Sequence, residues 1–185
     1  MKPNTKTLIT IDLQKGFDDP SWGSRNNPDF KDNTQNLLTF ARNNGLNIIH
    51  VQHSSILEAS PLRSDSEGFE FYDFVEPKND ELIIRKHANS AFIGTELDDL
   101  LKKSSITDLV FCGLTTDHCV STTVRMAGNL GYGVELIGDC TATFSKEGVC
   151  ADTIHSIHLL SLDKEFCAVI SLEQYTGQLK LDSIL

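Results

Sequence analysis

Three residues whose side chains are suited to acyl transfer are spread along the sequence, each following a short apolar run: Asp12, Lys86 and Cys119. A cysteine thiolate is a strong nucleophile, and a nearby lysine ammonium would stabilise its negative charge. A carboxylate could take the thiol proton and pass it to a leaving amine. These residue types therefore predict nucleophilic attack on an acyl group, provided that the fold brings them together.

Each of these residues, taken alone, also has a structural explanation. Free cysteine is among the most buried residue types, so an isolated Cys119 would more often be a small core residue. Asp12 could hydrogen-bond its own backbone in a turn, and Lys86 could be a solvated surface lysine. The catalytic interpretation depends on all three residues lying at one place in the fold.

Cys119 lies in the stretch with the clearest local pattern, residues 108–132. The apolar run Leu109–Cys112 predicts a buried strand, and apolar residues at helical spacing from Val120 predict a helix that ends at Gly131. The polar turn between them places Cys119 on the first turn of that helix. Unpaired N–H groups and the helix dipole favour an anion there, so we expect the thiol to lose its proton more easily than a free cysteine.

Short apolar runs alternate with segments of helical periodicity along the chain. The six predicted strands are Thr7–Ile11, Asn47–Val51, Glu81–Arg85, Leu109–Cys112, Val134–Ile137 and Phe166–Ile170. Helices are predicted at Asp32–Asn44, from Thr95, from Val120, and at Lys146–Leu162. This alternation is typical of an α/β fold in which helices cover both faces of a parallel sheet.

The order of these elements predicts where the three reactive side chains lie. All strands of a parallel sheet end at one edge, where ligands bind, and Asp12, Lys86 and Cys119 follow the first, third and fourth strands. Neighbouring strands are about 4.8 Å apart, so Lys86 must reach inward if its strand is not beside the first. The irregular segment 54–80 is too long for a simple connection, and we expect it to cover a site or to contact another subunit.

Composition narrows the class of protein. The chain of 185 residues has a net charge of −10 and a pI near 4.9, which argues against nucleic-acid or anionic-membrane partners. No stretch has membrane-spanning length, and the start has no signal-peptide pattern. The five cysteines form no CxxC pair, which indicates reduced thiols. We expect residues 1–185 to form one cytoplasmic domain.

Four sequence motifs carry a resemblance to a known family. They are IDLQKGF from Ile11, KHANSAFIGTELDDLL from Lys86, GLTTDHCVSTTVRMAGNLGY from Gly113, and GDCTATF from Gly138. In this order and spacing they resemble the isochorismatase-like cysteine hydrolases, which include nicotinamidases, N-carbamoylsarcosine amidohydrolases and ureidoacrylate amidohydrolases. The resemblance runs from about residue 7 to residue 170.

The resemblance implies a fold and a mechanism. The fold would be a three-layer, Rossmann-like arrangement with a six-stranded parallel sheet, and the catalytic triad would be Asp12, Lys86 and Cys119. A non-proline cis peptide bond would join Leu114 and Thr115, and the N–H groups of Thr115 and Cys119 would form an oxyanion hole. Cys119 would attack the carbonyl of a small amide or ureido compound, and water activated by Asp12 would hydrolyse the thioester.

Departures from the pattern separate branches of this family. Isochorismatases proper resemble the chain in fold but lack the cysteine, so Cys119 argues against that branch. Nicotinamidases carry an Asp-x-His metal motif after the second strand, where this chain has Gln52 and His53. We therefore predict no catalytic metal and no cofactor. A metal-dependent, nicotinamidase-like amidase and a non-catalytic or redox-responsive protein remain the alternatives.

Four further residues are predicted to contact a substrate. Trp22 could stack on a planar group or pack in the core, and Arg25 could pair with a substrate carboxylate or lie in solvent. His53 is either a substrate contact or a packed histidine, and Phe92 is a candidate for the pocket lining. Asp117 is expected to cap the helix that carries Cys119.

The resemblance also suggests a homo-oligomer, either a dimer or a tetramer. The irregular segment 54–80 is our candidate for the subunit contact. His155 and His158 are expected on one face of the late helix, where another subunit could also contact them.

Overall fold

The computed structural model describes residues 6–182 and has six strands and five α-helices in that range. The strands are β1 (Lys6–Ile11), β2 (Asn47–His53), β3 (Leu82–Lys86), β4 (Asp108–Leu114), β5 (Gly133–Ala142) and β6 (Ala168–Ile170). The α-helices are α1 (Phe30–Asn43), α2 (Leu97–Lys103), α3 (Ser121–Asn129), α4 (Ala151–Leu162) and α5 (Leu172–Asp182). None of the described helices is long and apolar enough to cross a lipid bilayer.

The strands form one parallel sheet in the order β3-β2-β1-β4-β5-β6. Because side chains alternate along a strand, Leu8 packs on one face with α1 and α5, whereas Ile9 packs on the other face with α2, α3 and α4. Both faces are therefore covered by helices. The predicted three-layer α/β fold with a six-stranded parallel sheet is confirmed.

The two central strands approach each other closely at the edge where they end. Gly113 pairs with Ile11 and has a φ of 127°, a backbone conformation that favours glycine. A Cβ atom at Gly113 would lie only 2.0 Å from the carbonyl oxygen of Ile11. Only glycine fits at this contact. The contact also places Asp12, the residue after Ile11, beside the end of β4.

Several predicted element bounds are wrong. The last long helix begins at Ala151 rather than Lys146, because Glu147 and Gly148 have positive φ values and form a turn. The fifth strand continues to Ala142, past its predicted end at Ile137, and its register with β4 shifts in this added part. The final strand begins at Ala168 instead of Phe166. Helix α5 was not predicted.

The segment that carries Cys119 also differs from the prediction. Residues Thr116–Val120 form one π-helical stretch, and the regular helix α3 starts only at Ser121. The predicted end of this helix is accurate, since Gly131 lies just beyond it with a φ of 91°. Cys119 therefore lies in a widened turn before the α-helix, a geometry that often occurs at functional sites.

Candidate active site

The structure brings Asp12, Lys86 and Cys119 into direct contact. The Lys86 ammonium donates hydrogen bonds to Asp12 Oδ2 at 2.8 Å and to Cys119 Sγ at 3.2 Å. The side chains of Asp12 and Lys86 are fully buried. Since β2 lies between β3 and β1, Lys86 reaches inward across one strand, as its long side chain permits.

Asp12 is held in an unusual backbone conformation directly after β1. Its φ is 52°, which is uncommon for a residue with a side chain, and its N–H donates to the carbonyl of Val51 at 2.9 Å. Oδ2 accepts from Lys86, whereas Oδ1 is buried and has no hydrogen-bond partner among the described residues. A buried carboxylate oxygen without a partner is costly. Oδ1 is therefore a candidate proton acceptor in the reaction.

Lys86 has more acceptors around it than it has protons. Besides Asp12 and Cys119, its ammonium contacts the carbonyl of Ala88 and Nδ1 of His53, both at 3.2 Å. Burial by itself lowers the pKa of Lys86, but the negative charge of Asp12 and the hydrogen bonds to Asp12 and Cys119 outweigh it, and the net pKa is raised. Lys86 is therefore a permanent cation at neutral pH.

The expectation that the Cys119 thiol would lose its proton easily is wrong for the resting site. Burial raises the pKa of Cys119 and the nearby Asp12 carboxylate raises it further, while Lys86 only partly offsets these effects. The sequence pattern indicated the helix end but not how deeply the sulfur lies, and the side chain is only 8% exposed. The thiol is thus protonated until a base removes the proton during the reaction.

The peptide bond between Leu114 and Thr115 is cis, at the predicted position. The next residue, Thr116, is fully buried, and its hydroxyl lies 2.8 Å from Nδ1 of His155. His155 was expected on a helix face that could contact another subunit, but it is buried behind the Cys119 segment. Its role in this structure is to anchor that segment from α4.

Asp117 does not cap the helix, contrary to the prediction. No side-chain capping bond forms at the start of this segment. Asp117 instead accepts a hydrogen bond from Thr143 at 2.5 Å and pairs with Lys146. Although burial opposes it, the hydrogen bond from Lys146 lowers the pKa of Asp117 to about 2. This ion pair ties the Cys119 segment to the loop after β5.

Trp22 lies in an aromatic cluster. Its ring centroid is 5.0 Å from that of Phe17 and 5.7 Å from that of Phe144, and its indole N–H donates to the carbonyl of Gly16 at 2.8 Å. These contacts correspond to the packing alternative considered for Trp22. They join Trp22 to the loop after β1 and to the loop after β5.

Arg25 and Phe92 also have partners in the fold. The Arg25 guanidinium lies 3.6 Å from Asp18 and 5.4 Å from the ring centroid of Phe30. Phe92 is buried in the same apolar cluster as Cys119, and it stacks on Tyr132 at a centroid distance of 6.1 Å. A substrate contact by either residue stays a prediction.

Two polar residues near the triad were missed as candidates. Asn89 is exposed, and its Oδ1 lies 3.8 Å from Cys119 Sγ. Gln14 is fully buried, and its amide accepts from the N–H of His53 at 2.8 Å and donates to the carbonyls of His53 and Phe69 at 3.0 Å each. Gln14 lay within the IDLQKGF motif, but only its partners in space show that it holds His53 beside Lys86.

Replacing Gln14 by alanine should lower the free energy of unfolding by about 2–3 kcal/mol, because the partly buried N–H and carbonyl of His53 would lose their partner, whereas the Phe69 carbonyl keeps its bond from Gln52. Chemical denaturation measures the change. The matched control is Gln35→Ala at an exposed position on α1, which should have little effect. Equal stabilities of the two variants would show that Gln14 does not anchor His53.

The triad region also has the spacing of a possible cation site. Among the described residues, ligand atoms of Asp12, His53 and Cys119 lie within 4.8 Å of one another. The Lys86 ammonium, however, already contacts an atom of each of these residues at 2.8–3.2 Å. A metal ion would have to displace this ammonium. The positive charge of the site is therefore supplied by Lys86.

If the site hydrolyses amides, as its residue types predict, the rate should not depend on a bound metal ion. Incubation with EDTA followed by dialysis into metal-free buffer is expected to leave the rate of hydrolysis unchanged, because Lys86 supplies the charge. Metal analysis of the dialysed protein is the control. Loss of the rate with recovery on adding zinc or iron would instead favour the nicotinamidase-like alternative.

A surface cavity of about 840 Å³ lies away from the triad. It is lined by residues of the loop after β1 and of the segment 54–80, among them Gly16, Gly68 and Tyr72, and by none of the three triad residues. Cys119 has its own small exposed surface, beside the exposed side chain of Asn89. We expect a substrate to reach the sulfur from this exposed side.

Comparison with known proteins gives consistent matches. The family model for the isochorismatase domain matches residues 6–174. The uncharacterized isochorismatase family protein YrdC of Bacillus subtilis is 44% identical over 174 residues, which are 91% of this chain and 93% of that protein. The ureidoacrylate amidohydrolase RutB of Acinetobacter baylyi is 34% identical over 102 residues, which are 55% of this chain and 41% of that protein.

A solved structure agrees with these sequence matches. The crystal structure of a protein assigned to the isochorismatase family of hydrolases, from Chromobacterium violaceum, superposes with a TM-score of 0.91 and 40% identity. The match covers 96% of this chain and 95% of that chain. Both the fold and the sequence similarity therefore extend over almost the whole molecule.

Proposed function

The chain belongs to the isochorismatase family of hydrolases, and from this premise we propose that it hydrolyses a C–N bond of a small amide or ureido compound through a thioester on Cys119. The observation that carries the proposal is the position of the Lys86 ammonium, in contact with both Asp12 and Cys119. The similarity to a protein named as an amidohydrolase supports the type of bond.

In the first step Cys119 Sγ attacks the carbonyl carbon of the substrate. The thiol proton passes to Asp12, whose Oδ1 has no other described partner, and Lys86 stabilises the sulfur as it becomes negative. The N–H groups of Thr115 and Cys119 are the proposed donors to the carbonyl oxygen. The protonated Asp12 then gives its proton to the leaving nitrogen, the C–N bond breaks, and a thioester remains.

In the second step water hydrolyses the thioester. Asp12, again a carboxylate, takes a proton from the water while the oxygen attacks the thioester carbon. The C–S bond breaks, the acid product leaves, and Asp12 returns the proton to the sulfur. One amide and one water thus give one carboxylic acid and one amine or ammonia, with Asp12, Lys86 and Cys119 restored.

A screen for released ammonia or amine tests the proposal. The purified protein would be incubated with sets of amides, carbamoyl compounds and ureides, and Cys119→Ala would be tested in parallel. At least one compound should release its nitrogen only with the unmodified protein. A protein that hydrolyses none of them, but cycles its Cys119 through a sulfenic acid, would favour the redox-responsive alternative.

We further propose that residues 1–185 act as one domain in a cytoplasmic homo-oligomer. Exposed apolar side chains support self-association: Ile56 and Leu57 in the segment 54–80 are 83% and 70% exposed, and Leu160 on α4 is 79% exposed. Light scattering should give the mass of a dimer or tetramer, and Leu57→Glu or Leu160→Glu should lower it. A monomer at micromolar concentration would contradict the proposal.

A further inference from the structure

His53 presents a fixed hydrogen-bond donor next to the triad. A ring N–H on Nδ1 would point at the Lys86 ammonium, 3.2 Å away, and be repelled by it, so the lone pair lies on Nδ1 and the ring proton on Nε2. Burial lowers the pKa of His53, and Lys86 lowers it further, so the ring is neutral. Nε2 has no partner among the described residues and is not one of the fully buried unpaired atoms, so solvent or a ligand can reach it.

The position of this donor is set by its neighbours. Gln14 bonds both the N–H and the carbonyl of His53, and His53 pairs with Lys86 in the β2–β3 register. The N–H of Ser54 also donates to the carbonyl of Lys86 at 2.8 Å. Both the backbone and the ring of His53 are thus fixed before a substrate binds, which lowers the entropic cost of binding.

Asn89 provides a second uncharged group at the same place. Its Oδ1 lies 3.8 Å from Cys119 Sγ, its side chain is exposed, and its Nδ2 has no partner among the described residues. A carboxamide can accept one hydrogen bond and donate another. This combination is complementary to a substrate amide, which also carries one acceptor and N–H donors.

The described cations near this edge of the sheet already have partners. Lys86 contacts four acceptors, Arg25 lies beside Asp18, and Lys146 pairs with Asp117. Arg85 donates to the side chain of Gln52 and lies over the ring of Phe69. A substrate carboxylate beside Cys119 would therefore lie near the Asp12 carboxylate, and Lys86, the cation that contacts the sulfur, already balances the charge of Asp12. Two carboxylates that share a buried site repel each other.

We propose that His53 and Asn89 form a neutral recognition pair that selects uncharged acyl groups, so that the substrates are small amides or ureides without a carboxylate near the bond that is cleaved. This inference rests on the proposed function for its substrate class. The selectivity of the site itself can be measured without any turnover.

Alkylation of Cys119 by iodoacetamide and iodoacetate tests this pair, since the two reagents are similar in size and differ in charge. The rate constants would be measured by peptide mass spectrometry, with the exposed Cys150 of the same molecule as the internal reference. The ratio of the iodoacetamide rate to the iodoacetate rate should be at least about tenfold larger at Cys119 than at Cys150, which corresponds to one decade of selectivity.

Two variants assign the selectivity to the pair. Asn89→Lys, at an exposed position, adds an unpaired cation and should bring the ratio at Cys119 toward that at Cys150. His53→Ala should slow iodoacetamide more than iodoacetate. Equal ratios at Cys119 and Cys150, or ratios unchanged in both variants, would overturn the inference. A large ratio in a protein that hydrolyses no amide would leave the recognition pair intact and reject the proposed function alone.

Discussion

Replacing Cys119 by alanine is expected to lower the rate of amide hydrolysis by at least about 10³-fold, because the variant cannot form the thioester. The variant should still fold, since Lys86 keeps its contact with Asp12 and loses only its weaker contact with the sulfur. The kcat of the unmodified protein and of the variant, measured on a substrate found in the ammonia-release screen, gives the ratio.

The matched control for this prediction is Cys167→Ala. Cys167 is 8% exposed, as is Cys119, but its sulfur contacts a backbone carbonyl and no triad residue. Its replacement should leave the rate nearly unchanged. If both variants keep the original rate, the nucleophile lies elsewhere and the proposed mechanism is wrong.

Replacing Lys86 by methionine should lower the free energy of unfolding by about 3–5 kcal/mol, because it leaves the buried Asp12 carboxylate without a cation. The same change should raise the pH at which iodoacetamide labels Cys119, since Lys86 is the group that lowers the pKa of this thiol. Denaturation curves and a pH series of labelling rates measure the two effects, and hydrolysis should fall at the same time.

Lys103→Met is the control, because Lys103 is exposed on α2. The stability of the Lys103→Met variant and the pH profile of Cys119 labelling in it should match those of the unmodified protein. A Lys86→Met variant that is as stable as this control, with an unchanged labelling profile, would remove Lys86 from both roles. Circular dichroism would show whether the labelled variant is folded.

The sheet could be predicted because its strands are short apolar runs between clear helices. Asp12, Lys86 and Cys119 were predicted at one edge because every parallel strand ends there. The strand order could not be read from these runs, and it is this order that makes Lys86 cross β2 to reach Asp12. The cis peptide bond between Leu114 and Thr115 was predicted only from the family resemblance, because no local sequence pattern indicates such a bond.

Features that depend on partners distant in sequence were not predictable. Asp117 resembled a helix cap, but it pairs with Lys146, which is 29 positions later. The pKa of Cys119 depends on the depth of the sulfur and on Asp12, and neither follows from its place at the start of a helix. Gln14 shows the same limit, since its role is defined by His53 and Phe69 on other segments.

The most direct test of the proposed mechanism is the mass of the protein quenched with acid during turnover. We expect an added mass equal to the acyl part of the substrate, located on the peptide that contains Cys119 and removed by neutral hydroxylamine. Turnover without any acyl group on Cys119, or with the acyl group on another residue, would contradict thioester catalysis at this site.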